Sequence, residues 1–345
     1  VKIANWDNLN KRFGSVPNGP ESKTGRAQDG GTMATETTEL AASRSSVDQA
    51  SVRTVVALRD VWRDYLQLTK PRILLMIVMT ALVAMAAAPQ GLFSWQAVVT
   101  TVVGTALVAA SASVFNQWYE IERDSRMERT RRRPLPSGRL TAVESLGFGF
   151  LLVIVGLAVF ALGGLPVPAS IALATWGLYV LLYTPLKSIS SINTLIGTLP
   201  GALPVLIGWT AGGGTLSQPL GWWMTAVLVL WQLPHFMAIA WLYRDQYRAA
   251  GFQMLTTVDP TGRLAAWHAL LPALALFPVG VLSVGADGLL GWILGIASVL
   301  ANLGMAWGAY RFWKQQTSTT ARYLLRASLI YLPAMLLVWV LRVCV

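Results

Sequence analysis

The chain has 345 residues, of which 54% are hydrophobic and only 12% charged, with a net charge of +11 at pH 7. Soluble domains carry about twice that share of charge. Here the charges also crowd into short segments with long unionisable stretches between them, which excludes an aqueous globular fold and indicates helices in a bilayer. The basic excess does not point to nucleic acid, because the arginines adjoin apolar spans and no basic face is interleaved with exposed aromatics. A lone cysteine, Cys344, excludes an intramolecular disulfide and a thiolate metal cluster.

Residues 1–52 are polar, rich in Ser, Thr, Gly and acidic groups, and lack an apolar period, so a disordered cytoplasmic tail is expected. Its acidic residues argue against a transit peptide, no apolar secretory core is present, and Met33 is a candidate start. Between Val55 and Tyr65, apolar Val56, Leu58, Val61 and Trp62 recur at helical spacing among charged residues, which predicts a short interfacial helix. About nine transmembrane helices follow, near 73–88, 97–118, 145–163, 169–184, 193–211, 222–243, 265–283, 288–310 and 323–343. Residues 53–345 therefore read as one all-α, polytopic membrane domain. Trp95, Trp118, Trp209, Trp222 and Trp223 fall near span ends, where an amphipathic ring suits the headgroup level.

Lys and Arg set the orientation. From residue 53 onward, twenty basic residues lie before span 1 or after spans 2, 4, 6 and 8, against Arg342 alone on the other side. Basic flanks are retained in the cytoplasm, so the N-terminus is expected inside and Val345 outside.

The connection after span 2 carries Asn116, Glu120 and Asp124 at i, i+4 and i+8, which a continued helix would place on one face. Two carboxylates in that relation repel unless a cation sits between them. Mg²⁺ suits such hard oxygens, commonly shared with a substrate phosphate. A helix end paired with Arg123 and Arg126 is the structural alternative. The many arginines that follow, through Arg129 and Arg133, offer anion sites beside the cation site, as a metal-bridged diphosphate requires.

In order and spacing, Asn116-(x)3-Glu120-(x)3-Asp124-(x)2-Met127-x-Arg129-Thr130-(x)2-Arg133-Pro134-Leu135 resembles the first acidic motif of the UbiA-type intramembrane prenyltransferases. Leu68-Thr69-Lys70-Pro71-Arg72, Tyr183-Thr184-Pro185-Leu186-Lys187 and Gly201-Ala202-x-Pro204 are similar to other stretches of that family. Gln117, Met127, Trp231-Gln232-Leu233-Pro234-His235-Phe236 and Ala249-Ala250-Gly251-Phe252-Gln253-Met254-Leu255 resemble its haem-modifying branch. The motifs span residues 65–260; beyond them only hydropathy agrees. The sequence departs from the family in its second cytoplasmic motif, where an acidic pair is usual and Asp245-Gln246 stands, one carboxylate fewer.

The resemblance implies a UbiA-type bundle that transfers a farnesyl group from farnesyl diphosphate to a vinyl group of haem b, the haem being substrate rather than cofactor. It implies Mg²⁺ held by Asn116, Glu120, Asp124 and Asp245, a diphosphate clamp of Arg129, Arg133 and Lys187, and acceptor contact by His235. Downstream haem-modifying or terminal-oxidase assembly proteins are the expected protein partners, and a bacterial inner membrane the expected location. For His235 the alternative is a structural one, satisfying a backbone carbonyl freed by Pro234. His268 and Asp287 lack a surrounding motif and read as interfacial. An aromatic quinone precursor or a chlorin is the alternative acceptor. A transporter is the alternative class, but it would place ionisable groups at mid-span rather than at one face.

Overall fold

The computed structural model describes residues 60–92, 94–285 and 288–343. The tail expected over 1–52, the first part of the interfacial helix, Asp287 and Cys344 lie outside these residues. The described part is helical, without a strand. Helix α1, Asp60–Thr69, meets α2, Pro71–Ala86, at a bend of 46°. Lys70 sits at the bend with φ 54°, a left-handed conformation uncommon for a residue with a side chain. Pro71 at the first position of α2 forfeits only an N–H that has no helical partner there.

The next elements are α3 (Trp95–Tyr119), a short α4 (Ile121–Ser125), α5 (Ala142–Leu162) and α6 (Pro166–Gly177). A π-helical turn, Leu178–Tyr183, joins α6 to α7 (Thr184–Leu186), so this span is not the plain helix the hydropathy suggests. Pro185 supplies no N–H to the ladder, and Thr184 turns its hydroxyl back to the Tyr179 carbonyl at 2.8 Å. Helices α8 (Asn193–Ala202) and α9 (Pro204–Ala211) form one span broken at Pro204, followed by α10 (Pro219–Leu242), α11 (Arg244–Ala249) and α12 (Leu255–Val258). Helices α13 (Arg263–Val284), α14 (Gly288–Lys314) and α15 (Ser318–Val343) complete the bundle. Among the described residues eight spans are long and apolar enough to cross a bilayer alone, and the bent pair α1 and α2 passes the same test together, giving nine if the pair is one span. The protein is therefore a polytopic membrane protein whose span positions match the sequence reading.

Lipid gives little hydrophobic drive for helix association, so small residues must let helices approach closely. Ala84, Ala202, Ala238, Ala265, Ala269, Ala273, Ala309 and Ala321 are fully buried in the main core, where they let α2, α10, α13, α14 and α15 pack around Met237, Met305, Phe312 and Trp339. Gly208 is the tightest case: a Cβ there would run into the backbone carbonyl of Ala81 across the α2–α9 contact. A backbone oxygen cannot swing aside, so Gly208→Ala is expected to separate α2 from α9. It should cost ~1–3 kcal/mol, the range for overpacking, read as a lower melting temperature in detergent; an unchanged melting temperature would refute the close contact. Trp95 and Trp222 are exposed, as interfacial rings should be, whereas Trp209 is buried and donates Nε1–H to the Thr215 carbonyl at 3.1 Å. Trp209 thus seals a turn instead of marking the interface.

Candidate active site

Charge collects at the end of the bundle where α3 closes. Glu120 caps α3 with φ −95° and ψ 7°, which interrupts the helix, yet Asp124 N–H still donates to the Glu120 carbonyl at 2.7 Å. The turn from α3 into α4 thereby keeps Asn116, Glu120 and Asp124 together, and all three are buried. Each has a basic or polar partner from elsewhere in the chain. Glu120 Oε1 pairs with Lys187 Nζ at 2.8 Å, and Asp124 Oδ2 pairs with Arg133 at 2.6 Å. Asn116 Oδ1 accepts from Lys70 Nζ at 3.3 Å, while its amide donates to Thr184 Oγ1 at 3.3 Å. The alternative partners, Arg123 and Arg126, do not take these carboxylates; Arg126 pairs with exposed Glu122.

Lys187 is carried to Glu120 by the π turn and α7, and its loop is tied down from the far side. Gln253 N–H donates to the Lys187 carbonyl at 2.8 Å, and Asn193 Nδ2 donates to the Gln253 carbonyl at 2.8 Å. The Tyr183 ring lies 4.7 Å beneath the ammonium. Burial alone would lower the Lys187 pKa, but Glu120 and the Tyr183 and Tyr179 phenols reverse the effect and hold it well above its ordinary value. Lys187 therefore stays charged.

Arg129 lies at the rim, 4.9 Å over the Tyr243 ring and 3.5 Å from the Tyr247 hydroxyl, with no carboxylate partner among the described residues. Phe252, Tyr247 and Met254 from the segment after α10 pack on Met127 from the connection after α3 and cap it. Asp245 stands apart from the cluster in this structure: its side chain is 77% exposed and pairs with Arg248 at 3.8 Å. On α11, Asp245 and Gln246 are adjacent and so face different ways. The neighbour, Gln246, is the one that turns inward, with its Oε1 buried and without a hydrogen-bond partner. Among the described residues no three or more His, Cys, Asp or Glu side chains converge. The hard-oxygen set is thus two carboxylates with Asn116, a donor set that suits Mg²⁺ shared with phosphate oxygens.

Beside the charged cluster is an apolar cavity of about 600 Å³, lined by Lys70, Tyr179, Tyr183, Trp231, His235 and Phe236 among others. It is large enough for a hydrophobic ligand of substantial size. Pro234 inside α10 leaves the Leu230 carbonyl without its helical donor, but His235 does not turn to it; Nδ1 lies 2.9 Å from Ser328 Oγ on α15. His268 is exposed and bonds its own helix at Leu264, as an interfacial residue would. Sequence reasoning assigned no role to Lys70, Tyr179, Tyr183 or Ser328. Lys70 carried one signal, its place in a Lys-Pro-Arg stretch; Ser328 lies where only hydropathy was legible.

Comparison with known proteins agrees with this geometry. The model of the UbiA prenyltransferase family matches residues 77–330. A protoheme IX farnesyltransferase of Rhodopirellula baltica is 46% identical over 80% of this chain and 99% of its own length; one of Solibacter usitatus is 38% identical over 79% and 95%. Among solved structures, a digeranylgeranylglyceryl phosphate synthase superposes with a TM-score of 0.66 at 16% identity, covering 82% of this chain and 98% of that one. A UbiA homolog from Archaeoglobus fulgidus bound to GPP and Mg²⁺ gives 0.59 at 14% identity, over 82% and 100%. With eight or nine helical spans among the described residues, a charged cluster at one mouth of the bundle and a family match across most of its length, this chain belongs to the UbiA prenyltransferase family.

Proposed function

We propose that the protein is a protohaem IX farnesyltransferase, transferring the farnesyl group of farnesyl diphosphate to a vinyl group of haem b to give haem O. The observation that carries prenyl transfer is the interleaving of Asn116, Glu120 and Asp124 with Lys70, Arg133 and Lys187 beside an apolar cavity. Haem as the acceptor is supported by the curated relatives, which are named protoheme IX farnesyltransferase.

In this reading Asn116, Glu120 and Asp124 would hold Mg²⁺, and Asp245 of the second segment, exposed in this structure, would join them only if α11 moves over the substrate. Mg²⁺ would neutralise charge building on the leaving diphosphate. Arg133 and Lys187 exchange their carboxylate partners for phosphate oxygens, and Lys70 and Arg129 complete the clamp. Such preorganised cations act where charge develops as the C–O bond breaks. The electron pair leaves with the diphosphate, and the allylic cation remains in the apolar cavity. Tyr179, Tyr183 and Trp231 offer that cation π faces, and the apolar walls keep water from it. The terminal vinyl carbon of haem b then bonds to the allylic carbon, and the cation beside the macrocycle takes a water oxygen and releases a proton, leaving a hydroxyethylfarnesyl side chain.

The decisive assay supplies membranes containing the protein with haem b, farnesyl diphosphate and Mg²⁺ and looks by mass for farnesylated haem. A quinone precursor or chlorin prenylated in its place would overturn the acceptor. The basic asymmetry supports a cytoplasmic mouth in a bacterial inner membrane. Reporters fused after Gly138 and Arg263 should score cytoplasmic and one after Gly213 the opposite side; a cytoplasmic Gly213 fusion would reverse or break the topology.

A further inference from the structure

Helices α10 and α15 are pinned together where they border the cavity. Trp231 Nε1–H donates to the Ser328 carbonyl at 2.7 Å. One turn further along α10, His235 Nδ1 meets Ser328 Oγ at 2.9 Å. The imidazole stacks on the Trp231 indole with ring centroids 5.1 Å apart and planes 22° from parallel. Ser328 thus touches both residues, and the ring plane of His235 is set.

The direction of the His235 bond follows from counting protons. A serine hydroxyl has one to give, and Ser328 gives it to the Leu325 carbonyl at 2.7 Å. Toward His235 the oxygen is left as an acceptor, so the imidazole proton sits on Nδ1 and Nε2 carries a lone pair. Nε2 has no hydrogen-bond partner among the described residues, and His235 lines the cavity. A neutral imidazole whose Nδ1–H is anchored by an oxygen while its Nε2 stays basic and available is how histidine is prepared to ligate a metal.

We propose that Ser328 is a positioning residue that locks His235 in the Nδ1–H tautomer so that Nε2 ligates the iron of the haem acceptor. The inference rests on the haem reading and deepens it: the same cavity takes the macrocycle, and the iron fixes which part of it faces His235. Ser328 is fully buried and never meets the substrate, so its effect must pass through the imidazole.

The full chain in lipid nanodiscs, without farnesyl diphosphate, is titrated with haem b and separately with iron-free protoporphyrin IX. Soret absorbance reports affinity, and resonance Raman of the ferrous complex reports the iron–histidine stretch. His235→Ala should abolish that stretch. Ser328→Ala should weaken haem b by at least about tenfold, the low end for loss of an outer-shell partner, and shift the stretch to lower frequency. Iron-free porphyrin should bind all three proteins alike, since only iron senses the tautomer. The stretch is a property of bound molecules and is independent of folded yield. Ser328→Cys, similar in size but a poor acceptor, gives the same readout where the alanine variant is too unstable. A wild-type stretch and affinity in both Ser328 variants, or an iron–histidine band surviving in His235→Ala, overturns the inference while leaving haem as acceptor. Failure of the wild-type protein to bind either porphyrin overturns the acceptor reading and the inference together.

Discussion

Asp124→Ala and Glu120→Ala are each expected to lower farnesyl transfer per folded molecule by at least about a hundredfold, the scale for losing one preorganised group that meets developing charge, beyond whatever stability each variant loses. Each carboxylate is buried and held against a single cation, Asp124 against Arg133 at 2.6 Å and Glu120 against Lys187 at 2.8 Å. Removing one therefore does two things: it takes an oxygen from the set that would hold Mg²⁺, and it leaves a basic group without its anion. Chelating Mg²⁺ from the wild-type protein should produce the same loss. Asp245→Ala is the internal contrast. Its side chain is 77% exposed and pairs with Arg248, so turnover should stay within about twofold of wild type, the limit expected of a surface change. The measurement is turnover per folded molecule, with melting temperature recorded for each variant. Near-normal turnover in both Asp124→Ala and Glu120→Ala would end the metal assignment, and a large loss in Asp245→Ala would show that α11 reorients over the substrate.

Lys187 should separate stability from catalysis. Its Nζ and the Glu120 carboxylate form a buried pair, with side chains 16% and 6% exposed. Removing one member of such a pair strands the other and costs ~3–5 kcal/mol, whereas replacing both by neutral groups is often close to neutral. Lys187→Met is accordingly expected to lower the melting temperature sharply. The double variant Lys187→Met with Glu120→Gln should recover most of that stability. Its turnover should nonetheless stay at least about a hundredfold below wild type, because the double variant lacks both an anion-binding cation and a metal-holding oxygen. Recovery of turnover alongside stability would make the pair an architectural one and remove Lys187 from the diphosphate clamp.

The spans and their order were legible because they depend on composition within single segments. Twenty or so apolar residues must bury their own backbone bonds in lipid as a helix, whatever surrounds them. The Asn116, Glu120 and Asp124 spacing was legible for the same reason, since helical geometry relates residues four apart with no reference to the rest of the chain. The local rule does not reach Asp245, whose side chain is exposed in this structure. Its neighbour Gln246 faces inward, and which of two adjacent residues does so depends on how α11 docks against the cap around Met127 and Phe252. Composition likewise grouped Trp209 with the interfacial rings, while packing across a turn buried it.

What only the tertiary structure decided is which charges meet and which way a proton points. Lys70 reaches Asn116 from 46 residues away, Lys187 reaches Glu120 from 67, and Ser328 reaches His235 from 93. Each contact is fixed by the approach of separate helices, through a left-handed bend at Lys70, a π turn before Lys187, and the α10–α15 contact at Ser328. The sequence by itself determined that this protein lies in a membrane, with acidic and basic groups gathered at one face. Pairing between distant helices is a property of packing, and packing is set by every small residue along the contact at once rather than by the pattern within any one segment.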